Sequence, residues 1–171
     1  KAAKAAGVQN FVFASSCSVY GSAGTEARTE ISDVNPLTAY AISKVKAEIE
    51  LAPLADNNFI VTCHRFATAC GFSPRIRLDL VLNDFVASAM TTKEIKILSD
   101  GTPWRPLIHV SDMARDMEWS MRRKLSEGGG FLILNTGSNM WNYQIKDLAF
   151  AVRDTLGDCS VSINEKAEPD N

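Results

Sequence analysis

Phe11-Val12-Phe13-Ala14-Ser15-Ser16, followed after a polar stretch by Tyr40-Ala41-Ile42-Ser43-Lys44, decides how this chain folds. The first segment is an apolar run ending in small residues, the pattern of a buried parallel strand whose carboxyl end faces a ligand. The second sets a phenol and an ammonium four residues apart, one above the other on a helix face. A nearby cation favours the phenolate, so such a tyrosine can take and return a proton near neutral pH. A serine hydroxyl from a neighbouring strand end can then hold the substrate oxygen. Alone, Tyr-x-x-x-Lys describes a solvated helix face as readily as a site, and its surroundings carry the decision.

Working outward, strands and helices alternate. Lys1 to Ala6 read as a helix leading through Gly7 into the strand at 11–16. From Gly21 to Pro36 the composition turns to Gly, Ser, Thr, Glu and Asp, a loop able to close over a substrate. Pro36 and Thr38 start the next helix, which holds Tyr40, Lys44 and Glu48 along one side and ends near Pro53. A strand at 59–66 ends in Arg65-Phe66, and residues 73–78 lead into an amphipathic helix through Met90. A short strand from Ile95 to Leu98 runs into an Asp100-Gly101 turn. A helix at 111–124 takes Ser111 as N-cap, with Asp112 in its first turn, which makes Asp112 a structural residue. After a strand at 131–135, a long helix begins at Asn142 or Tyr143 and ends at Gly157, before a last strand at 160–163. The order predicts an α/β fold over 1–171: the C-terminal part of a doubly wound parallel sheet, interleaved with a smaller mixed substrate-binding region at approximately 72–130.

Composition narrows the function classes. With 171 residues, 46% of them hydrophobic, the chain can bury one core. A net charge of −2 without a sustained basic face argues against nucleic-acid binding, and no apolar run reaches the roughly 18 residues that span a bilayer. The four cysteines show no C-x-x-C spacing and read as reduced thiols of a cytoplasmic protein. Cys63 and His64 are adjacent on a strand and point to opposite faces, so no metal site is expected. Arg75 and Arg77 can bind phosphate through the guanidinium fork, although Arg75 reads equally well as a surface charge. His109 reads as a packing residue.

Several longer motifs occur in a fixed order: Ser15-Ser16-Cys17-Ser18-Val19-Tyr20-Gly21, Asn35-Pro36, the Tyr40 helix 24 positions after Ser16, and Trp104-Arg105-Pro106-Leu107-Ile108-His109-Val110-Ser111-Asp112. On these the chain resembles the extended short-chain dehydrogenase/reductase family, in particular its nucleotide-sugar epimerases and dehydratases. The resemblance implies a Rossmann-like fold, bound NAD and catalysis by Ser16, Tyr40 and Lys44. Lys44 would tune Tyr40 and bind the nicotinamide ribose. Cofactor contacts would come from Ser15, Tyr40, Lys44 and Phe66, and substrate contacts from Ser18, Thr68, Arg77, Asn83 and Arg105. Thr68 stands where the family commonly carries asparagine, a departure with fewer donors and a shorter reach.

Family members open on a Gly-x-x-Gly-x-x-Gly turn that seats the dinucleotide pyrophosphate on a helix N-terminus. No such turn occurs here; Gly128-Gly129-Gly130 precedes a strand and reads as a surface loop. The chain also stops at Glu168-Pro169-Asp170-Asn171 without the closing helix the resemblance leads one to expect. It is therefore expected to be an internal piece of a longer enzyme, and because the acidic or basic residue that selects NAD over NADP lies in the absent portion, NADP stays open. Where 4,6-dehydratases carry an Asp-Glu pair after the catalytic Ser or Thr, this chain has Cys17-Ser18, which disfavours that reaction and leaves epimerase ahead of reductase. The competing readings are an inactive binding or dimerising module and a reductase of a small carbonyl compound. The resemblance further implies a homodimer through the Tyr40 helix, with Ile42, Val45 and Ile49 as its apolar residues.

Overall fold

Apolar runs and amphipathic segments alternate in the chain as α1 (Ala2–Ala5), β1 (Asn10–Ser16), a 3-10 turn (Cys17–Tyr20), α2 (Ala39–Leu51), a second 3-10 turn (Ala52–Leu54), β2 (Ile60–Phe66), β3 (Thr68–Cys70), α3 (Val81–Thr91), β4 (Glu94–Ile97), β5 (Trp104–His109), α4 (Val110–Arg122), β6 (Phe131–Thr136), β7 (Asn142–Gln144), α5 (Ile145–Leu156) and β8 (Ser160–Ile163). The computed structural model describes residues 1–22, 24 and 26–164; Ala23 and Thr25 of the expected loop, and the C-terminal stretch ending in Glu168-Pro169-Asp170-Asn171, lie outside them. Two units emerge, one of Lys1–Ala67 with Ser111–Thr136, the other of Thr68–Val110 with the described residues from Gly137 on. The interleaved region expected at approximately 72–130 overlaps the second unit from 72 to 110; residues 111–130 belong to the first.

The first unit is built on a parallel sheet of order β1-β2-β6. Its strands end flush, with Ser16 paired to Phe66 and Phe66 to Thr136. Alternation along β2 assigns its two faces. Val61 and Cys63 join Phe59, Phe11, Phe13, Phe131 and Ile133 in a core closed by Leu51 at the end of α2 and Leu54 in the second 3-10 turn. Thr62 and His64 point the other way and bond to Arg123 and Ser120, at and just beyond the end of α4. Helices therefore cover both faces, the doubly wound arrangement expected. Arg123 is itself buried and satisfied by neutral acceptors, the carbonyls of Val61, Glu127 and Gly129 and the Thr62 hydroxyl.

α2 starts where its sequence says it should. The Thr38 hydroxyl accepts from the Ala41 N–H at 3.1 Å, a cap of the kind worth about 1 kcal/mol. Upstream, the excursion between Tyr20 and α2 is closed at its neck. The Asn35 N–H donates to the Val19 carbonyl at 2.9 Å, and Gly21, at φ +66°, passes so close to the Asn35 carbonyl that a Cβ would collide with it.

In the second unit β5 pairs in parallel with β3 and antiparallel with β7, while β4 and β8 form a separate parallel pair. α3 and α5 bury Phe85, Ala89, Leu148, Ala149 and Val152 against Ile95, Ile97 and Leu107. Gly71 follows β3 at φ +106°, and the His109 ring occupies the space a Cβ would need, so His109 packs there.

Two expected helix starts are corrected. β5 runs directly into α4 at Val110, which leaves Ser111 inside the first turn and not at the N-cap. The long helix begins at Ile145, because Asn142–Gln144 is drawn into an antiparallel ladder opposite Trp104–Pro106.

Candidate functional site

At the carboxyl edge of the first unit's sheet, β1 delivers Ser16 and α2 delivers Tyr40 and Lys44. Lys44 reaches from the helix to the strand, its ammonium donating to the Ala14 carbonyl at 2.8 Å. The same Nζ stands 5.2 Å from the centre of the Tyr40 ring and 5.0 Å from that of Phe13. The phenol and ammonium thus share one neighbourhood two residues short of Ser16, and Tyr40 is 56% exposed, open to an incoming molecule.

The Ser16 hydroxyl caps the 3-10 turn that follows it, accepting from the Ser18 N–H at 3.2 Å and from the Ser18 hydroxyl at 2.9 Å. One oxygen thus fixes the turn and faces its neighbour at the strand end. Phe66 is buried at the end of β2, its ring stacked 5.1 Å from that of His64.

Ser15 has a different environment from Ser16. It is 3% exposed and donates to Glu48 Oε1 at 2.5 Å. Glu48, one turn beyond Lys44, is buried too and forks with Arg65: Nη2 to Oε2 at 2.7 Å, Nε to the two oxygens at 3.1 and 3.3 Å. Arg65 Nη1 donates to the Tyr20 phenol oxygen at 2.9 Å, and that phenol donates to Asn135 Oδ1 at 2.6 Å. Burial alone would lower the affinity of Arg65 for its proton, but the bonds to Glu48 and Tyr20 outweigh it and raise the pKa. Asn135 extends the chain of bonds to the loop, its N–H donating to the Glu30 carboxylate at 2.8 Å and its amide to the Arg28 carbonyl at 3.2 Å. Sequence spacing set Glu48 on the side of Tyr40 and Lys44, but carried no sign of Arg65 as its partner or of Tyr20 as the partner of Arg65.

The remaining expected site residues lie in the second unit. Thr68 opens β3, half-buried. Arg77 forms a bidentate pair with Asp79 at 2.7 and 2.6 Å on the exposed surface. Asn83 braces the loop before its own helix, accepting from the Gly71 N–H at 3.3 Å and donating to the Arg77 carbonyl at 2.9 Å. Arg105 lies half-buried on β5 and donates to the Trp104 carbonyl at 3.0 Å. Among the described residues no group of three or more His, Cys, Asp or Glu could hold a metal ion, and no helix is long and apolar enough to cross a membrane.

A helix-covered parallel sheet whose carboxyl edge carries a serine, a tyrosine and a lysine defines the chain as part of a Rossmann-like α/β protein. Residues 1–137 match the model of the NAD dependent epimerase/dehydratase family, and the chain belongs to that family. Over 110 residues it is 30% identical to the uncharacterized UDP-glucose epimerase YtcB of Bacillus subtilis (strain 168), covering 63% of this chain and 34% of that protein. Among solved structures it is similar to MoeE5 in complex with UDP-glucuronic acid and NAD, with 27% identity and a TM-score of 0.79 over 95% of this chain and 54% of that one. It is also similar to UDP-glucose 4-epimerase from Brucella ovis in complex with NAD, with 25% identity and a TM-score of 0.77 over 98% of this chain and 55% of that one. The chain thus spans about half the length of these solved relatives, and its matched stretch covers about a third of the Bacillus protein.

Proposed function

We propose that this chain is the part of an NAD-dependent epimerase, or closely related oxidoreductase, that carries the proton-transfer residues for a nucleotide-diphosphate sugar. The observation that carries the reading is the Lys44 ammonium held between the Ala14 carbonyl and the Tyr40 ring, beside a strand that ends in Ser16. NAD, when bound, would supply the hydride acceptor and donor for the sugar carbon. Tyr40 takes the proton of the sugar hydroxyl as the ketone forms and gives it back as the ketone is reduced. Lys44 keeps its ammonium beside the phenol that carries the proton between those steps and offers it to the ribose, while Ser16 orients the reacting oxygen. Ser15 and Phe66 line the cofactor side through the strand ends that bear them, and Ser18 supports Ser16 towards the substrate.

An exposed phenol beside a tethered ammonium fits a ligand that presents a ribose and a reacting hydroxyl. In the second unit, Arg105 is the proposed anchor for the diphosphate, with Thr68 as a sugar contact. Arg77 and Asn83, which already hold Asp79 and the loop before α3, shape that segment around a nucleotide. NAD-linked proteins whose structures hold UDP-glucuronic acid or UDP-glucose support this substrate class. We further propose a cytoplasmic homodimer joined through α2.

Replacing Tyr40 by phenylalanine in the full-length protein is expected to lower kcat on a UDP-sugar by about 10²–10⁴-fold, the usual contribution of a positioned acid–base. Turnover left within a factor of about two would overturn the assignment. Titration with uridine diphosphate separates a nucleotide-sugar enzyme from a reductase of small carbonyl compounds, which would not bind it.

A further inference from the structure

α2 is fastened to the sheet edge at two heights. Lys44 holds the Ala14 carbonyl at 2.8 Å, and one turn later Glu48 receives the Ser15 hydroxyl at 2.5 Å. The second fastening is the more elaborate. Ser15, Arg65 and Asn135 are register partners, one from each strand, in the row directly before Ser16, Phe66 and Thr136. Glu48 binds the first two members of that row directly and the third through Arg65 and Tyr20.

Side-chain exposures of 6% and 4% make the Arg65–Glu48 pair a buried one. A buried ion pair is poor evidence for stability, since apolar side chains of similar volume commonly replace it without loss. What the pair supplies that apolar contacts do not is direction. A forked guanidinium–carboxylate contact has one geometry, and here it fixes both the rotation of α2 about its axis and its height along β1. Tyr40 and Lys44 lie two turns and one turn before Glu48, respectively, on the same side of that helix.

We propose that Glu48 and Arg65 are positioning residues, whose buried fork sets α2 against β1 so that Tyr40 and Lys44 stand level with Ser16. This rests on the reading of Tyr40 as the proton carrier. A misplacement of about 1 Å at such a site costs about 10²-fold in rate.

The test uses the full-length protein and a UDP-sugar, with kcat, KM and thermal midpoint measured for four proteins: wild type, Tyr40→Phe, Glu48→Gln, and the double variant Glu48→Met with Arg65→Met. The double variant fills the same volume without a charge. It is expected to melt within a few degrees of wild type and to keep KM within about threefold, yet to lose about 10²-fold in kcat. A double variant that melts and turns over like wild type overturns the proposal and makes the pair structural only. Should the double variant fail to fold, Glu48→Gln decides, because its amide oxygen still accepts from Ser15 while the fork to Arg65 is broken. A folded Glu48→Gln with kcat down by about tenfold or more at unchanged KM supports positioning, and kcat within about twofold overturns it. Tyr40→Phe separates the two readings. If it is fully active, the proton-carrier assignment has failed; if it is inactive while the double variant is active, only the positioning role has failed.

Discussion

His64 illustrates how a single side chain sets a pH limit on the fold. It is 1% exposed, stacked on Phe66, with Nδ1 2.8 Å from the Thr136 hydroxyl and Nε2 2.6 Å from that of Ser120. A neutral ring needs one donor and one acceptor, and two rotatable hydroxyls supply either tautomer. Burial pushes its pKa down to about 4 from the ordinary 6.5. The unfolded chain therefore binds a proton that the native state refuses, and this contribution is complete above pH 6.5 and lost as pH falls towards 4. The loss is on the order of 3 kcal/mol. Asp56, held below the usual carboxylate range chiefly by its bond to Lys4, acts only below that window, so the two are separable. Urea midpoints at pH 7 and pH 4.5 should differ clearly in the wild type and much less in His64→Gln, whose amide can bond both hydroxyls but cannot charge. Equal pH dependence in the two proteins would remove His64 as the cause. The same burial raises the Cys63 thiol to about 12, an inert group in keeping with a packing role.

At the scale of elements, the turn after the first 3-10 segment depends on glycine. At Gly21, φ +66° and the Asn35 carbonyl both exclude a side chain, so Gly21→Ala is expected to cost about 1–3 kcal/mol from backbone conformation alone. Chemical denaturation measures it, and a cost below about 0.5 kcal/mol, ordinary for a surface site, would show that the neck can relax. Elements of this kind differ in how openly the sequence displays them. β1 and β2 are apolar runs and α2 begins with a capping threonine, so all three can be read along the chain. β3 and β7, three residues each, have no period of their own and exist only because β5 lies between them. That pairing also delayed α5, and the direct join of β5 to α4 removed the cap expected at Ser111. In the site, Lys44 beside Tyr40 follows from helical spacing. Glu48 reads as one more polar helix position, and its partner Arg65 is 17 residues away on another element, beyond the reach of any local pattern.

For the whole molecule, the proposed homodimer makes a concrete demand on α2. Ile42 and Ile49 are 40% and 66% exposed, whereas Val45 between them is half-buried. Changing both isoleucines to glutamate leaves the core untouched and should cost little as a monomer. Sedimentation of the full-length protein is expected to show a dimer that this double change converts to a monomer; an unaltered dimer would place its interface elsewhere. Each of the two units has its own buried cluster, so substitutions deep in α3 or α5 perturb a different core from those in β2.

The pinched neck between Val19 and Asn35 has an evolutionary corollary. Both margins of the excursion are tied to each other, so the span they enclose can lengthen, shorten or change composition without pulling on β1 or α2. Doubling such a span costs only about 0.6 kcal/mol in closure entropy. Selection can therefore rewrite this segment while Ser16 on one side and Tyr40 and Lys44 on the other keep their places.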